Sequence, residues 1–251
     1  MGKYCKRIVL LFLLLFATNS YAVSPAILHG MSGGGQAASL CDTTNIVFWA
    51  GYDTDVNADY SAASTTATTN SIDVSTDAKK YGDKGLDVAD ASSYLYYTSP
   101  SATLDDSFRM GFWLWVNTWP AGDSIIYLTA DGNNYFKLRF AGAGTGELFL
   151  YWKDSGNDRD SAYTSGAAIG TGTWYFIEIA VTTNYIKIYV DSVEKASDTS
   201  TLASFASPPL QLWFGSTYGI SGDWYMDNVI ISTDYTDDLF TYCKDELAWP
   251  E

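Results

Sequence analysis

Residues 108–116 read Phe108-Arg-Met-Gly-Phe-Trp-Leu-Trp-Val116, a stretch in which apolar side chains dominate. Alternate side chains of a β-strand point to opposite faces of its sheet, so Phe112, Leu114 and Val116 share one face. Trp113 and Trp115 share the other. One set is expected to fill a core, and the two tryptophans then lie either on an open concave face or under a covering loop.

Similar β-rich or alternating runs occupy most of the chain on either side of this stretch. Asp131-Gly-Asn133 supplies residues that tolerate positive φ, which predicts a tight hairpin between Thr129 and Tyr135. No segment shows sustained helical periodicity, so the sequence predicts an all-β fold, a two-sheet antiparallel jelly-roll β-sandwich. The predicted strands are residues 46–50, 85–88, 94–98, 108–117, 124–130, 134–140, 146–153, 173–182, 185–190, 210–215 and 224–232.

The charge of the chain narrows the range of possible partners. The 251 residues include 29 acidic and 14 basic side chains, so the formal charge is -15. Nucleic-acid binding depends on clustered Lys and Arg. The sequence therefore predicts no nucleic-acid partner and no attraction to anionic membrane surfaces.

The N-terminal residues have the features of an export signal. Basic residues precede an apolar run from Ile8 to Ala17, and small residues follow up to Ala22. We therefore predict a signal peptide over residues 1–22, cleaved near Ala22, and a secreted or periplasmic protein. A bilayer span needs roughly 20 apolar residues, more than this run provides, so no membrane span is predicted.

The remaining chain divides into three parts. We predict a flexible Gly/Ser-rich lead-in over residues 23–40, the jelly-roll domain over residues 41–247, and a tail over residues 248–251. Two cysteines remain after signal cleavage. In an oxidising compartment Cys41 and Cys243 are expected to form a disulfide that joins the two ends of the domain, and two unpaired buried thiols are the alternative.

Four stretches together resemble laminin-G-like domains of the concanavalin A-like lectin/glucanase superfamily. Residues 108–116 resemble the Phe-x-x-x-Phe-Trp-x-x-Val strand of these domains, and residues 172–181 resemble the strand that begins with Gly-x-Trp. Residues 185–191 resemble the Val-x-Leu-Tyr-Val-Asp-Gly hairpin, and residues 222–231 resemble the closing Gly-x-x-Asp-Asn/Glu-Val-x-Ile strand. Ser192 departs from the pattern, because glycine is usual there. The resemblance implies a jelly roll, and that fold hosts sugar-binding modules, adhesive domains, glucanases and lyases.

The residues argue against catalysis. Glycosidases of this fold resemble Glu-x-Asp-x-x-Glu or Glu-x-Asp-x-Glu strands, whose carboxylates share one cleft, and this sequence contains neither string. Glu178 lies within a predicted core strand and has no carboxylate partner along it. His29, the single histidine, lies in the lead-in. We predict a protein that is not an enzyme, with a glycan-acting hydrolase or lyase as the weakest alternative.

A binding function has better candidates. Aromatic faces suit the apolar C–H side of a pyranose, and neighbouring polar groups can bind its hydroxyls. The sequence therefore predicts a secreted, non-catalytic recognition or adhesion module whose partner is a polysaccharide or glycan. The alternatives are a surface-protein partner, or a structural role in an extracellular or virion assembly, with the tryptophans serving only for packing. The candidate ligand-binding residues are Trp113, Trp115, Lys137, Arg139, Gln211 and Trp213.

Calcium is the predicted cofactor. Asp227 matches the residue that in the resembled superfamily commonly helps to hold a structural calcium, together with main-chain carbonyls that here come from around Gly51 and Gly85. Asp53 opens the segment Asp53-Thr-Asp-Val-Asn-Ala-Asp59, which places oxygen ligands at every second residue, as a hard cation requires. The alternative is that these Asp-rich loops are turn formers that add solubilising charge.

Overall fold

The computed structural model describes residues 45–63, 65–89, 93–100, 107–120, 124–141, 144–154, 157–199, 211–215 and 222–233. Within this part of the chain no helix is long and apolar enough to cross a membrane. The predicted signal peptide, lead-in and tail lie outside the described residues, as do His29 and the predicted disulfide between Cys41 and Cys243.

The described residues form strands in two antiparallel sheets, which confirms the predicted all-β class. Every predicted strand is present, with ends that differ by at most two residues. The strands are β1 (Ile46–Ala50), β2 (Tyr60–Ser61), β3 (Thr66–Asn70), β4 (Asp73–Ser75), β5 (Gly85–Val88), β6 (Tyr94–Thr98), β7 (Phe108–Thr118), β8 (Ser124–Asp131), β9 (Asn134–Phe140), β10 (Leu148–Asp154), β11 (Asn157–Tyr163), β12 (Trp174–Val181), β13 (Ile186–Val190), β14 (Val193–Asp198), β15 (Gln211–Gly215) and β16 (Asp223–Ser232).

The two sheets differ in size and in the strands that form their centres. The nine-stranded sheet has the order β14-β13-β12-β7-β16-β1-β2, and β5 also pairs with β16 and carries β4. The seven-stranded sheet has the order β11-β10-β9-β8-β15-β6-β3. Strand β7 is therefore on one sheet, whereas β9 and β15 are on the other.

One hydrophobic core receives the inward-facing side chains of both sheets. Phe112, Leu114 and Val116 of β7 are buried in it, as the strand alternation predicts. Leu212 and Phe214 of β15 reach it from the seven-stranded sheet. Full burial of such a side chain stabilises the folded state by roughly 1.5–3 kcal/mol relative to leaving it exposed. The residues that alternate with these core side chains are therefore placed on the two outer faces.

Two hairpins show how local sequence sets the register. Gly132 and Asn133 close the β8–β9 hairpin, where Asp131 Oδ1 accepts a hydrogen bond from the Asn133 main-chain N at 2.6 Å. Thr129 pairs with Tyr135, which confirms the predicted turn. The β13–β14 hairpin turns at Asp191 and Ser192, with φ values of 49° and 64°. Both residues of this two-residue turn have the left-handed backbone conformation. Glycine adopts this conformation easily, which explains why glycine is usual at the position of Ser192 in the resembled domains.

Candidate functional site

A row of side chains crosses the outer face of the seven-stranded sheet. Backbone register places one residue of each of six adjacent strands in this row, and neighbouring strands lie about 4.8 Å apart, so the row extends over about 24 Å. We call it the aromatic row because four of its members are Tyr or Trp. In order from β3 to β10 its members are Thr68, Tyr96, Trp213, Tyr127, Lys137 and Tyr151.

Trp213 is the centre of a packed group of rings. Its ring centroid lies 4.3 Å from that of Tyr96 at an interplanar angle of 24°, and 5.3 Å from that of Tyr94. Trp213 Nε1 donates a hydrogen bond to Gln211 Oε1 at 2.9 Å. All four side chains are half-buried, so the three rings are held in place while part of their surface remains open.

The β9–β10 half of this face adds positive charge. Arg139 lies with its guanidinium carbon 4.5 Å from the ring centroid of Phe149, and Lys137 Nζ lies 5.7 Å from that of Tyr127. Lys153 Nζ is 5.9 Å from the ring centroid of Tyr135. Contacts of this kind hold cations over aromatic faces. The face thus combines ring surfaces with donors for hydrogen bonds.

The six predicted ligand-binding residues do not form one surface. Lys137, Arg139, Gln211 and Trp213 share the outer face just described, whereas Trp113 and Trp115 lie on the outer face of the nine-stranded sheet. Alternation along a strand assigns a side chain to a face, but it does not say to which sheet the strand belongs. The structure therefore places the two sets on different surfaces of the sandwich.

Trp113 lies under a covering loop, one of the two predicted placements. It is 6% exposed. Its ring centroid is 5.6 Å from that of Tyr81 and 5.3 Å from that of Phe176, and Lys80 Nζ lies 4.7 Å from it. Trp113 is therefore a packing residue, while Trp115 on the same strand is half-buried.

The sequence reasoning missed the tyrosines that share the outer face with Trp213. Tyr94, Tyr96, Tyr127 and Tyr151 lie on predicted strands and alternate with core residues, so their outward orientation was available from the sequence. Their placement on the same face as Trp213 was not, because it depends on the strand order β10-β9-β8-β15-β6. That order brings together residues separated by more than 100 positions.

Asp227 is fully buried on β16. Its Oδ2 accepts hydrogen bonds from the main-chain N of Lys80 at 2.7 Å and of Tyr81 at 2.9 Å. Burial raises the pKa of Asp227 to about 8, even though these two hydrogen bonds lower it, and the negative charge of Asp53 raises it further. Neither ion pair formed between described residues includes Asp227.

The other predicted calcium residues surround Asp227 but already have partners. Asp53 Oδ1 accepts a hydrogen bond from the Asp83 main-chain N at 2.8 Å, and Asp59 Oδ2 accepts one from the Gly51 main-chain N at 2.6 Å. Gly85 lets two segments approach closely, since a Cβ there would lie 2.1 Å from Ala78 O. Among the described residues, no three His, Cys, Asp or Glu side chains are placed to hold a metal ion.

Glu178 is also buried, with no exposed surface. The Nε atom of Arg109 lies 2.5 Å from Glu178 Oε1. The Arg109 guanidinium carbon is in turn 5.5 Å from the ring centroid of Tyr189. This carboxylate is therefore part of a buried ion pair on the nine-stranded sheet and does not line an open cleft.

A family profile matches more than half of this chain. Residues 90–233, more than half of the chain, match a laminin-G sequence profile described as the concanavalin A-like lectin/glucanases superfamily. No curated protein is similar enough to count as a match.

Solved structures share the fold at low sequence identity. The botulinum neurotoxin type G receptor binding domain is 13% identical, with a TM-score of 0.59 over 82% of this chain and 51% of its own. The botulinum neurotoxin serotype D ligand binding domain in complex with N-acetylneuraminic acid is 14% identical, with a TM-score of 0.58. That match covers 77% of this chain and 48% of the toxin domain. This chain thus spans about half of the toxin domains.

A third similar structure is close to this chain in size. Domain 4 of an extracellular arabinanase from Geobacillus stearothermophilus, in complex with arabinotriose, is 16% identical, with a TM-score of 0.56. The match covers 75% of this chain and 92% of that one.

Proposed function

The chain belongs to the concanavalin A-like lectin/glucanases superfamily, and from this premise we propose that it is a non-catalytic module that binds carbohydrate on its aromatic row. The observation that carries the proposal is the arrangement around Trp213. Stacked, half-buried rings stand beside Gln211 and Lys137, in register across adjacent strands. The solved structures with bound saccharides support the same class of ligand.

The chemistry of the row suits a sugar chain. The apolar C–H face of a pyranose can pack on Trp213 and Tyr96, because aromatic side chains offer a large apolar surface with fixed geometry. Gln211, Lys137 and Arg139 provide hydrogen bonds for hydroxyl groups. A row about 24 Å long accommodates an oligosaccharide rather than one sugar residue.

The same face supports binding without hydrolysis. Glycosidases need two carboxyl groups that flank the scissile bond. Within the six strands of the aromatic row, the only carboxylates are Asp131 and Asp154, each the last residue of its strand; the edge strand β11 adds Asp158 and Asp160. Asp131 also accepts hydrogen bonds from Asn133 and Asn134, which lower its pKa. Glu178 belongs to the buried pair on the other sheet.

Two further parts of the proposal concern export and calcium. The predicted export signal at residues 1–22 supports a secreted or periplasmic location, where polysaccharide is available. For calcium, the buried carboxylate of Asp227 is a suitable ligand, and a cation would offset its repulsion from Asp53. The donor set fits in part, since Asp53 and Asp59 already accept main-chain hydrogen bonds, so main-chain carbonyls near Gly51 and Gly85 would supply further oxygens.

Native electrophoresis in gels that contain a soluble polysaccharide tests the function. The probes are arabinan, xylan, mixed-linkage β-glucan and polygalacturonate. We expect the wild-type chain to be retarded by at least one of them, Trp213→Ala to lose that retardation, and Trp213→Phe to keep most of it because the ring remains. Val193→Thr is the control, since Val193 is 54% exposed on the other sheet. Equal retardation of Trp213→Ala and wild type, with unchanged circular dichroism, would contradict this site.

A further inference from the structure

Three aromatic side chains stand next to one another on the outer face of the nine-stranded sheet. The register places Tyr225 of β16 opposite Trp115 of β7, and Trp115 opposite Trp174 of β12. The ring centroids of Trp115 and Trp174 are 5.8 Å apart, with planes inclined by 56°. All three side chains are half-buried. Together with Asn117 and Asp223 they form what we call the Trp115 patch.

Asn117 connects the polar atoms of the patch. Its Oδ1 accepts a hydrogen bond from Trp115 Nε1 at 2.7 Å, and its Nδ2 donates to Asp223 Oδ2 at 3.3 Å. Asn117 is itself exposed, and within the described part of the chain Asp223 Oδ1 has no hydrogen-bond partner. A buried acceptor without a donor is costly, so a hydroxyl that reached it would be bound favourably.

The patch is the open part of an otherwise covered face. Two positions back along β7, Trp113 is buried against Phe176 and Tyr81. Trp115 and Trp174 are the next residues on this face of their strands, and both are half-buried. The rings therefore become accessible at this end of the sheet.

The charge around the patch selects among ligands. Asp223, Asp87 and Asp77 raise the pKa of Tyr225, after burial as the largest cause. Asp87 lies opposite Tyr225 on β5. This negative potential disfavours an anionic sugar, whereas Asp and Asn side chains bind uncharged hydroxyl groups well. The aromatic row differs, because Lys137, Arg139 and Lys153 are near it.

We propose that the Trp115 patch is a second carbohydrate-binding site, which takes an uncharged sugar residue. The sugar ring packs against Trp115 and Trp174, and its hydroxyls bond to Asn117 and Asp223. The two sheets of a sandwich pack about 10 Å apart, and the two sites face away from each other, so one saccharide chain lies on each. The protein therefore links two glycan chains, which goes beyond the single binding face proposed above.

The test measures stoichiometry and cross-linking with the full chain. The probes are neutral oligosaccharides from arabinan, xylan and mixed-linkage β-glucan for calorimetry, and beads coated with the parent polymers for agglutination. We expect two sugar-binding events per wild-type chain, one for Trp174→Ala, one for Trp213→Ala and none for the double variant. Each single variant loses agglutination. Trp174→Phe keeps both properties, and Thr173→Ala, an exposed neighbour, serves as the control.

The outcomes separate the two proposals. If wild type binds one oligosaccharide and Trp174→Ala binds and agglutinates as wild type does, the second site is wrong and the aromatic row stands. If Trp174→Ala abolishes binding and Trp213→Ala does not, the second site stands and the aromatic row is wrong. If choline chloride displaces the sugar from the Trp213→Ala variant, the uncharged assignment is overturned. If no probe binds wild type, both proposals fail.

Discussion

Trp213 donates its indole N–H to Gln211, two residues earlier on the same strand, over 2.9 Å. Both side chains lie on the outer face of the seven-stranded sheet, and Tyr96 stacks on one side of the indole. The hydrogen bond fixes the edge of the ring, and the stacking fixes its plane. The indole therefore needs little reordering when a ligand binds, which lowers the entropic cost of binding.

Gln211→Ala should consequently weaken glycan binding without removing it. The indole keeps its contact with Tyr96 but loses its edge partner, and we expect Kd to rise about tenfold, equal to about 1.4 kcal/mol. Gln211→Glu retains an acceptor for the indole N–H and is the matched variant. Titration followed by tryptophan fluorescence measures both. A Kd for Gln211→Ala equal to that of wild type would show that the hydrogen bond does not prepare the site.

The sequence predicts the strands well because their signal is local. Each predicted strand alternates or is β-rich, and its core residues, such as Phe112 and Leu114, are buried as expected. The five missed strands lie at sheet edges and are rich in polar residues, so their hydrophobic pattern is weak; they are β2, β3, β4, β11 and β14. Edge strands are held mainly by pairing with a neighbour, which a single segment does not reveal.

The candidate site was only partly predictable. Gln211 and Trp213 alternate with core residues on β15, which identified them as outward-facing. The pairing of Trp213 with Tyr96 and Tyr127 depends on long-range register, and so does the separation of Trp115 from Trp213. No local pattern contains this information, because jelly-roll connections bring together strands that are distant in sequence.

Ser192→Gly should stabilise the protein. Ser192 has a φ of 64°, a left-handed conformation that costs an L-residue roughly 1–2 kcal/mol and costs glycine little. We expect the free energy of unfolding in urea to increase by about 1 kcal/mol. Asp191→Gly is the comparison, because Asp191 Oδ1 also accepts a hydrogen bond from the Phe176 main-chain N at 2.9 Å. The free energy of unfolding of Asp191→Gly should increase less, because that variant loses the hydrogen bond. A lower free energy of unfolding in Ser192→Gly than in wild type would contradict the strain argument.

The buried carboxyl of Asp227 should make stability depend on pH in chelator. Burial raises its folded-state pKa from 3.8 to about 8, so the folded chain holds a proton that the unfolded chain releases. Between these two values stability falls as pH rises. Asp227→Asn should remove this dependence, since the amide stays neutral and its oxygen can accept the same main-chain hydrogen bonds. Thermal scans from about pH 5 to about pH 8 measure the difference.

Calcium should act on the same carboxyl in the opposite sense. A bound cation favours the ionised form of Asp227, so added calcium should raise Tm more near pH 8 than near pH 5. The Asp227→Asn variant should lose most of this increase. Identical scans of wild type in calcium and in chelator would count against a calcium site at Asp227.

The Arg109–Glu178 pair offers a test of whether this core-strand Glu serves structure or chemistry. Glu178→Leu leaves a buried guanidinium without its anion, and we expect a loss of about 3–5 kcal/mol in the free energy of unfolding. Arg109→Met combined with Glu178→Leu should recover most of that loss, because neither charge is then buried alone. Glycan binding at Trp213 should be unchanged in the double variant, since the pair lies on the other sheet. Groups kept for function commonly reduce stability, so a Glu178→Leu variant more stable than wild type would instead favour a functional role for this carboxylate.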